Sequence, residues 1–179
     1  MRHRQPLPRT WLMTDERMGD RLFAAIRRLP RGSGIVVRHY SLSLAERRRL
    51  FAAVQRYAAP HGHIVLRAGP ARLGRREDGA HNRPGAGAGL RTLAVHDWAE
   101  LRHARRTRPA LIFASPVHAT RSHPGSPAMP RTTLRAILRH APCGVIALGG
   151  MTARRAVHLK RLGIAGWAGI DVWLGQQPR

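Results

Sequence analysis

The 179-residue chain has a single cysteine, Cys143. That excludes an internal disulfide and fits a reducing compartment. Negative charge is scarce too: 9 acidic residues face 32 basic ones, a formal net charge of +23. Lysine occurs once, at Lys160, and the other 31 basic residues are arginine. Aromatics are only 5% of the chain, too few for the basic stripe with interleaved rings that grips single-stranded nucleic acid. No apolar run approaches the length needed to span a bilayer. The start, "MRHRQPLPRTWLMTD", is basic, but its apolar piece is short and soon broken by charge. No signal peptide is read there, and a cytoplasmic location is expected.

Arginine, alanine, glycine and proline are plentiful, which suggests a genome biased toward their codons. The arginines run along the whole chain rather than in one block. Such a surface attracts polyanions at low salt. Non-specific contact with nucleic acid is therefore expected, and specific binding is not. The length suits one domain over 1–179, with 1–9 expected as a flexible tail.

Apolar runs recur with helical patterns between them. Strands are expected at 10–14, 34–38, 63–67, 92–96, 110–115, 144–150 and 166–171. Helices are expected at 20–28, 44–57, 98–106, 132–140 and 152–161, the second opened by Ser43 and Glu46 as a capping box. The stretch "AGPARLGRREDGAHNRPGAGAG" holds too little apolar material for a helix. Alternating strands and helices imply a parallel sheet. The expected fold is a (β/α)8 barrel, shortened, with one or two helices reduced or missing in the middle and at the end. A doubly wound open sheet is the alternative. Either fold places function at the carboxyl ends of the strands.

Three stretches sit at such ends. Arg38 follows "GIVV" and precedes a helix. "FASPVHATRSHPGSPAMP" gathers Ser115, His118, Thr120, Arg121, Ser122 and His123 after a strand. Hydroxyls and an arginine suit a phosphorylated ligand, and a histidine can move protons near neutral pH. "VIALGGMTARRA" runs a strand into Gly149-Gly150 and a helix capped by Thr152, where backbone N–H groups can meet a phosphate. "GWAGID" supplies a neighbouring glycine-containing strand end with Gly169 and Ile170. "GAGAG" (85–89) is no phosphate loop, because no strand leads in and no Gly-Lys-Ser/Thr follows. "HGH" (61–63) shows no third ligand, so no metal is expected there. Cys143 and the four tryptophans are explained by packing.

Together these stretches resemble the thiamine phosphate synthase and TenI family. "WLMTDERMGD" looks like the family's first strand, "VVRHYSLS" like Val-Gln-Leu-Arg-Glu-Lys-Asp-Leu-Ser, and "EDGAHN" like Ala-Asp-Gly-Val-His-Leu. "SPVHATRSHPG" is similar to the Gly-Pro-Val-Phe-x-Thr-x-Thr-Lys loop, "IALGGMT" to Ala-Ile-Gly-Gly-Ile-Thr, and "GIAGWAGI" to Gly-Ala-Asp-Gly-Val-Ala-Val-Ile. The resemblance implies a (β/α)8 barrel joining a pyrimidine diphosphate to a thiazole phosphate, with magnesium helping diphosphate to leave. It implies that Arg38 binds diphosphate, with Thr120 and Ser122 as a hydroxyl pair. Gly150 and the Gly169–Ile170 backbone would form the thiazole-phosphate site, beside Gly149 and Arg121.

The chain also departs from the family. Val36 and Tyr40 replace the glutamine and lysine around the arginine, His123 replaces the loop lysine, and Asp171 replaces a serine. Neither magnesium aspartate has a counterpart: Arg67 and Ala68 stand at one place, and "HNRPGAGAG" offers none at the other. Arg38, Arg67 and Arg121 are then expected to converge on one mouth as fixed positive charge. Arg38, His118 and His123 are the expected catalytic residues. Two alternatives are a metal-independent thiazole tautomerase of the TenI kind, using His118 or His123, and a non-catalytic paralogue that binds a phosphate ligand. The expected partners are small phosphorylated thiazole and pyrimidine ligands, and a homo-oligomer is compatible with all of this.

Overall fold

The computed structural model describes residues 6–83, 89–120 and 127–175. Eight parallel strands form a closed barrel in chain order, the last pairing with the first. They are β1 (Thr10–Met13), β2 (Gly34–Val37), β3 (Ile64–Ala68), β4 (Gly79–His81), β5 (Leu90–Val95), β6 (Leu111–Ala114), β7 (Gly144–Ala147) and β8 (Gly166–Gly169). Among the described residues five α-helices lie around them: α1 (Arg21–Arg28), α2 (Leu44–Ala58), α3 (Trp98–Thr107), α4 (Arg131–His140) and α5 (Ala153–Lys160).

Side-chain alternation sorts each strand into two faces. Trp11, Met13, Val36, Leu66, Ala68, Phe113, Ile146 and Ala168 fill the inside, with Trp11 edge-on to Phe113 at 5.3 Å. Leu12, Ile35, Val37 and Val65 point outward and pack under α1 and α2 with Leu22, Ile26, Phe51 and Val54. Ile112, Ala114, Val145 and Ala147 do the same under α3, α4 and α5. The expected capping box opens α2: Ser43 Oγ accepts from Glu46 N at 3.3 Å, and Glu46 Oε2 accepts from Ser43 N at 2.9 Å.

The shortening falls where apolar residues run out. Among the described residues no α-helix follows β3 or β4, and β8 is followed only by a 3₁₀ turn, Asp171–Leu174. In place of a helix, residues 69–78 fold back against β3, with Leu73 inserted in the outer core. Arg67 points outward into this loop, since its neighbours Leu66 and Ala68 face inward. It is 1% exposed, and its Nε donates to Glu77 Oε2 at 2.7 Å. Glu77 Oε1 accepts from Leu73 N at 2.7 Å, and Asp78 Oδ2 from Val65 N at 2.8 Å. The expectation that Arg67 joins the mouth is thus corrected, because strand parity turns it into the outer layer. β4, absent from the periodicity reading, has only three residues, too few for an alternation to register.

The expected tail also needs correction at its inner end. Pro8 O accepts from Trp11 Nε1 at 2.8 Å, and Arg9 O from Trp167 N at 2.8 Å, so residues 8 and 9 belong to the barrel. No helix among the described residues is long and apolar enough to cross a membrane.

Candidate functional site at the carboxyl mouth of the barrel

Every strand ends at the same mouth, so Arg38, His96, Ser115 and Gly149 share one end of the sheet as expected. The exits of β1 and β2 are knitted together. Thr14 is fully buried, and its Oγ1 accepts from Arg38 N at 3.1 Å. Its own proton is then free to be donated to His39 Nδ1, 3.0 Å away. Arg38 Nε donates to Thr14 O at 2.8 Å, and its Nη2 to Asp15 Oδ2 at 2.9 Å. Arg17 Nε takes the other oxygen, Asp15 Oδ1, at 2.7 Å. Burial acts to raise the Asp15 pKa, but hydrogen bonds from Arg17 and the charges of Arg17 and Arg38 hold it below its ordinary value. Two guanidiniums thus share one carboxylate at the rim.

The β4 exit carries a second buried group. His81 is 3% exposed, its Nδ1 lies 2.9 Å from Thr92 Oγ1, and its ring is edge-on to Phe113 at 5.1 Å. Burial, then the charges of Arg38 and His96, pushes its pKa down to about 3, so the imidazole is neutral at pH 7. His96 is exposed and faces Glu100 at 2.8 Å.

Across the ring, β6 and β7 exit into paired loops. Val117 N donates to Leu148 O at 2.8 Å, and His118 N to Gly149 O at 3.1 Å. Gly149 and Gly150 have φ of +94° and +56°. A Cβ on Gly149 would stand 2.7 Å from Pro116 Cα, and one on Gly150 would stand 2.5 Å from Ala119 O. The two glycines are therefore required by the loop that lies on them. Thr152 caps α5, its Oγ1 accepting from Arg155 N at 3.2 Å. Asp171 lies 3.8 Å from Arg17. That contact lowers its repulsion toward an anion at the neighbouring Gly169–Ile170 backbone.

The sequence-predicted residues thus separate. Arg38 lies at β2, while His118, Gly149 and Gly150 lie near the far side of the ring, and Gly169 and Ile170 at β8, next to β1. Thr120 is half-buried in the β6–α4 loop. Arg121, Ser122 and His123 lie outside the described residues. His118 lines a cavity of about 470 Å³ with α4 and α5 residues, among them Arg131, Leu134, Arg155 and His158. Among the described residues its Nε2 is buried without a partner, and burial, then the charge of Arg155, lowers its pKa. Sequence reasoning assigned no role to Asp15, Arg17, His39 or His81. "TDER" directly after a strand was the available signal for the first two.

Residues 87–172 match the family model described as thiamine monophosphate synthase. That stretch, a little under half of the chain, is similar to the thiamine phosphate synthase family. A solved thiamine phosphate pyrophosphorylase from Pyrococcus furiosus is 17% identical over 96% of this chain and 89% of its own, with a TM-score of 0.78. Another, from Bacteroides thetaiotaomicron, is 16% identical over 95% and 86%, with a TM-score of 0.65. At such identities the likeness speaks for the fold, a shortened (β/α)8 barrel. No curated protein matches the sequence.

The family implies magnesium, and the donors described here do not fit it. Ala68 ends β3 without a carboxylate. Asp15, the most buried carboxylate of the mouth, is already held by two guanidiniums. Among the described residues no three His, Cys, Asp or Glu side chains group as a metal site.

Proposed function

We propose that this mouth binds the phosphorylated heterocycles of thiamine biosynthesis and joins them as thiamine phosphate synthase does, with guanidinium charge steadying the departing diphosphate. The carbon–oxygen bond to diphosphate breaks, and the thiazole nitrogen forms the new carbon–nitrogen bond. The observation that supports this reading is Arg38. Thr14 O and Asp15 fix its guanidinium at the rim through Nε and Nη2, so its remaining N–H groups are oriented before any anion arrives. The Gly149-Gly150 turn and the Gly169–Ile170 backbone would take the thiazole phosphate. His118 favours a second reading, thiazole tautomerisation, because its Nε2 is buried without a partner among the described residues and an imidazole can move the proton.

The test is turnover with a pyrimidine diphosphate and a thiazole phosphate, with magnesium and with a chelator. Coupled product formed in both conditions is expected. Strict dependence on magnesium would overturn the metal-free mechanism. Isomerisation of the thiazole alone would favour the tautomerase. Binding without any turnover would mark a non-catalytic paralogue.

A further inference from the structure

In a full barrel a helix follows β8 and covers its outer face. Among the described residues the 3₁₀ turn Asp171–Leu174 stands there instead. That turn packs against α1, and its Trp173 stacks on Trp167 of β8 at 5.0 Å. Beside Trp167, between the start of β1, β8 and α5, lies a cavity of about 700 Å³. Leu7, Ile164 and Trp167 give it apolar walls, and Ala153 and Ala156 keep the α5 side of it shallow. Val157 of α5 also lines it and is 67% exposed, the most exposed large apolar side chain among the described residues.

The cavity is polarised along its length. Its charged lining groups are Arg9 and Lys160, and no carboxylate among the described residues lines it. Arg9 precedes β1, and Lys160 ends α5, which runs back against the strand direction. Both cations therefore stand at the amino end of the barrel, away from the carboxyl mouth. Ala153, at the start of α5, marks the other end, and the helix rise puts it about 10 Å from Lys160. Hollows of this volume with apolar walls and few polar groups are the usual form of a small-molecule site. An apolar length ending in two cations matches a ligand with a tail and an anionic head. A second copy of this chain matches poorly, because it would bring a further charge of +23 to a cationic rim.

We propose that this cavity binds a single-chain aliphatic carboxylate, with its tail along α5 over Val157, Ile164 and Trp167 and its carboxylate between Lys160 and Arg9. The tail covers the apolar surface that the missing helix leaves in water. The Lys160 stem lies along the tail while its ammonium meets the head. The site is at the opposite end of the barrel from the mouth and does not rest on the function proposed for the mouth.

Titration calorimetry of the full chain with decanoate, below its micelle concentration, tests this. Physiological salt screens diffuse attraction to the basic surface. One decanoate per chain is expected. Acetate has the head without the tail, and decyltrimethylammonium has the tail with the opposite charge. Each should bind about tenfold more weakly or worse. Lys160→Met keeps an apolar stem and removes the charge, and should weaken decanoate by about three- to tenfold. Val157→Asp sets a carboxylate beside the tail and should weaken it by about tenfold or more. Both positions are exposed, so the variants keep the fold. Arg105→Met removes an equal charge from the exposed side of α3 and should change nothing. The proposal is overturned by absence of saturable decanoate binding, by equal affinity for decyltrimethylammonium, or by wild-type affinity in either cavity variant. Many weak sites that Arg105→Met lowers as much as Lys160→Met would mean adsorption to the surface and overturn it too. Two other occupants would do the same: a dimer that Val157→Asp dissociates, or an acidic amphipathic helical peptide that binds the cavity where decanoate does not.

Discussion

Arg38 has two jobs, and a single substitution would confound them. Its Nε and Nη2 tie β2 to the Thr14 carbonyl and Asp15, and its other donors would serve the proposed ligand. Arg38→Ala should weaken binding of a phosphorylated heterocycle by about 1.5–3 kcal/mol, the usual contribution of a charged hydrogen bond. It should also cost stability, because Asp15 is left with Arg17 alone. A titration that finds ligand affinity unchanged in a folded Arg38→Ala protein would remove this residue from the site. His81 makes a prediction of a different kind. Its folded pKa, about 3, is below the 6.5 of the unfolded chain, so the unfolded state binds the extra proton first. Stability attributable to His81 is therefore complete above pH 6.5 and is lost as pH falls toward 3, by up to about 1.4 kcal/mol per pH unit. Denaturant melts from pH 7 to 4.5 should show that slope in the wild type and a shallower one in His81→Gln. Equal slopes would mean that His81 is protonated in the folded protein.

At the scale of elements, the loop between β3 and β4 does the work of a helix with an ion pair. Arg67 is buried and Glu77 half-buried, and Glu77 also holds the backbone of Leu73 and Gly74. Arg67→Met would leave the half-buried Glu77 with its two backbone donors but no counter-charge, and should cost less than the roughly 3–5 kcal/mol of a one-sided break in a fully buried pair. Arg67→Met with Glu77→Gln should recover part of the loss in a thermal melt. Neither variant should alter pyrophosphate affinity, since Arg67 lies on the outer face. The same element shows where the sequence stops being readable. Strands such as "GIVV" and "LIFA" announce themselves by continuous burial, and Ser43 with Glu46 fixes the start of α2. "GAH" cannot announce β4, because one apolar residue carries no period. Arg38 and the Gly149-Gly150 turn were legible because each directly follows a strong strand. The inward or outward sense of Arg67 depended on strand parity, which was available once Leu66 was taken as core. The burial of Arg47 was concealed by its type: an arginine in register with Phe51 and Val54 reads as a polar position.

On the scale of the whole molecule, the net charge of +23 has to be reconciled with a site that recognises a small anion. Exposed arginines occur on every helix, among them Arg27 on α1, Arg49 on α2, Arg105 on α3, Arg135 on α4 and Arg154 on α5. The helices surround the barrel, so the charge encircles it and marks out no single groove. Such a field draws any polyanion to the surface and raises the local concentration of small anions at the mouth, and both effects fade with salt. Recognition inside the mouth should fade less, because Arg38 is fixed by Thr14 O and Asp15 and largely removed from solvent. DNA binding should therefore be indifferent to sequence and to strandedness, and should fall by roughly 10³-fold or more between 50 and 200 mM salt if several phosphates are contacted. Pyrophosphate affinity, measured over the same range, should fall much less. Parallel salt titrations of the two ligands decide the matter. DNA affinity that persists at physiological salt with a preferred sequence would make nucleic acid the target. A pyrophosphate affinity that collapses in step with DNA would place its binding on the outer surface.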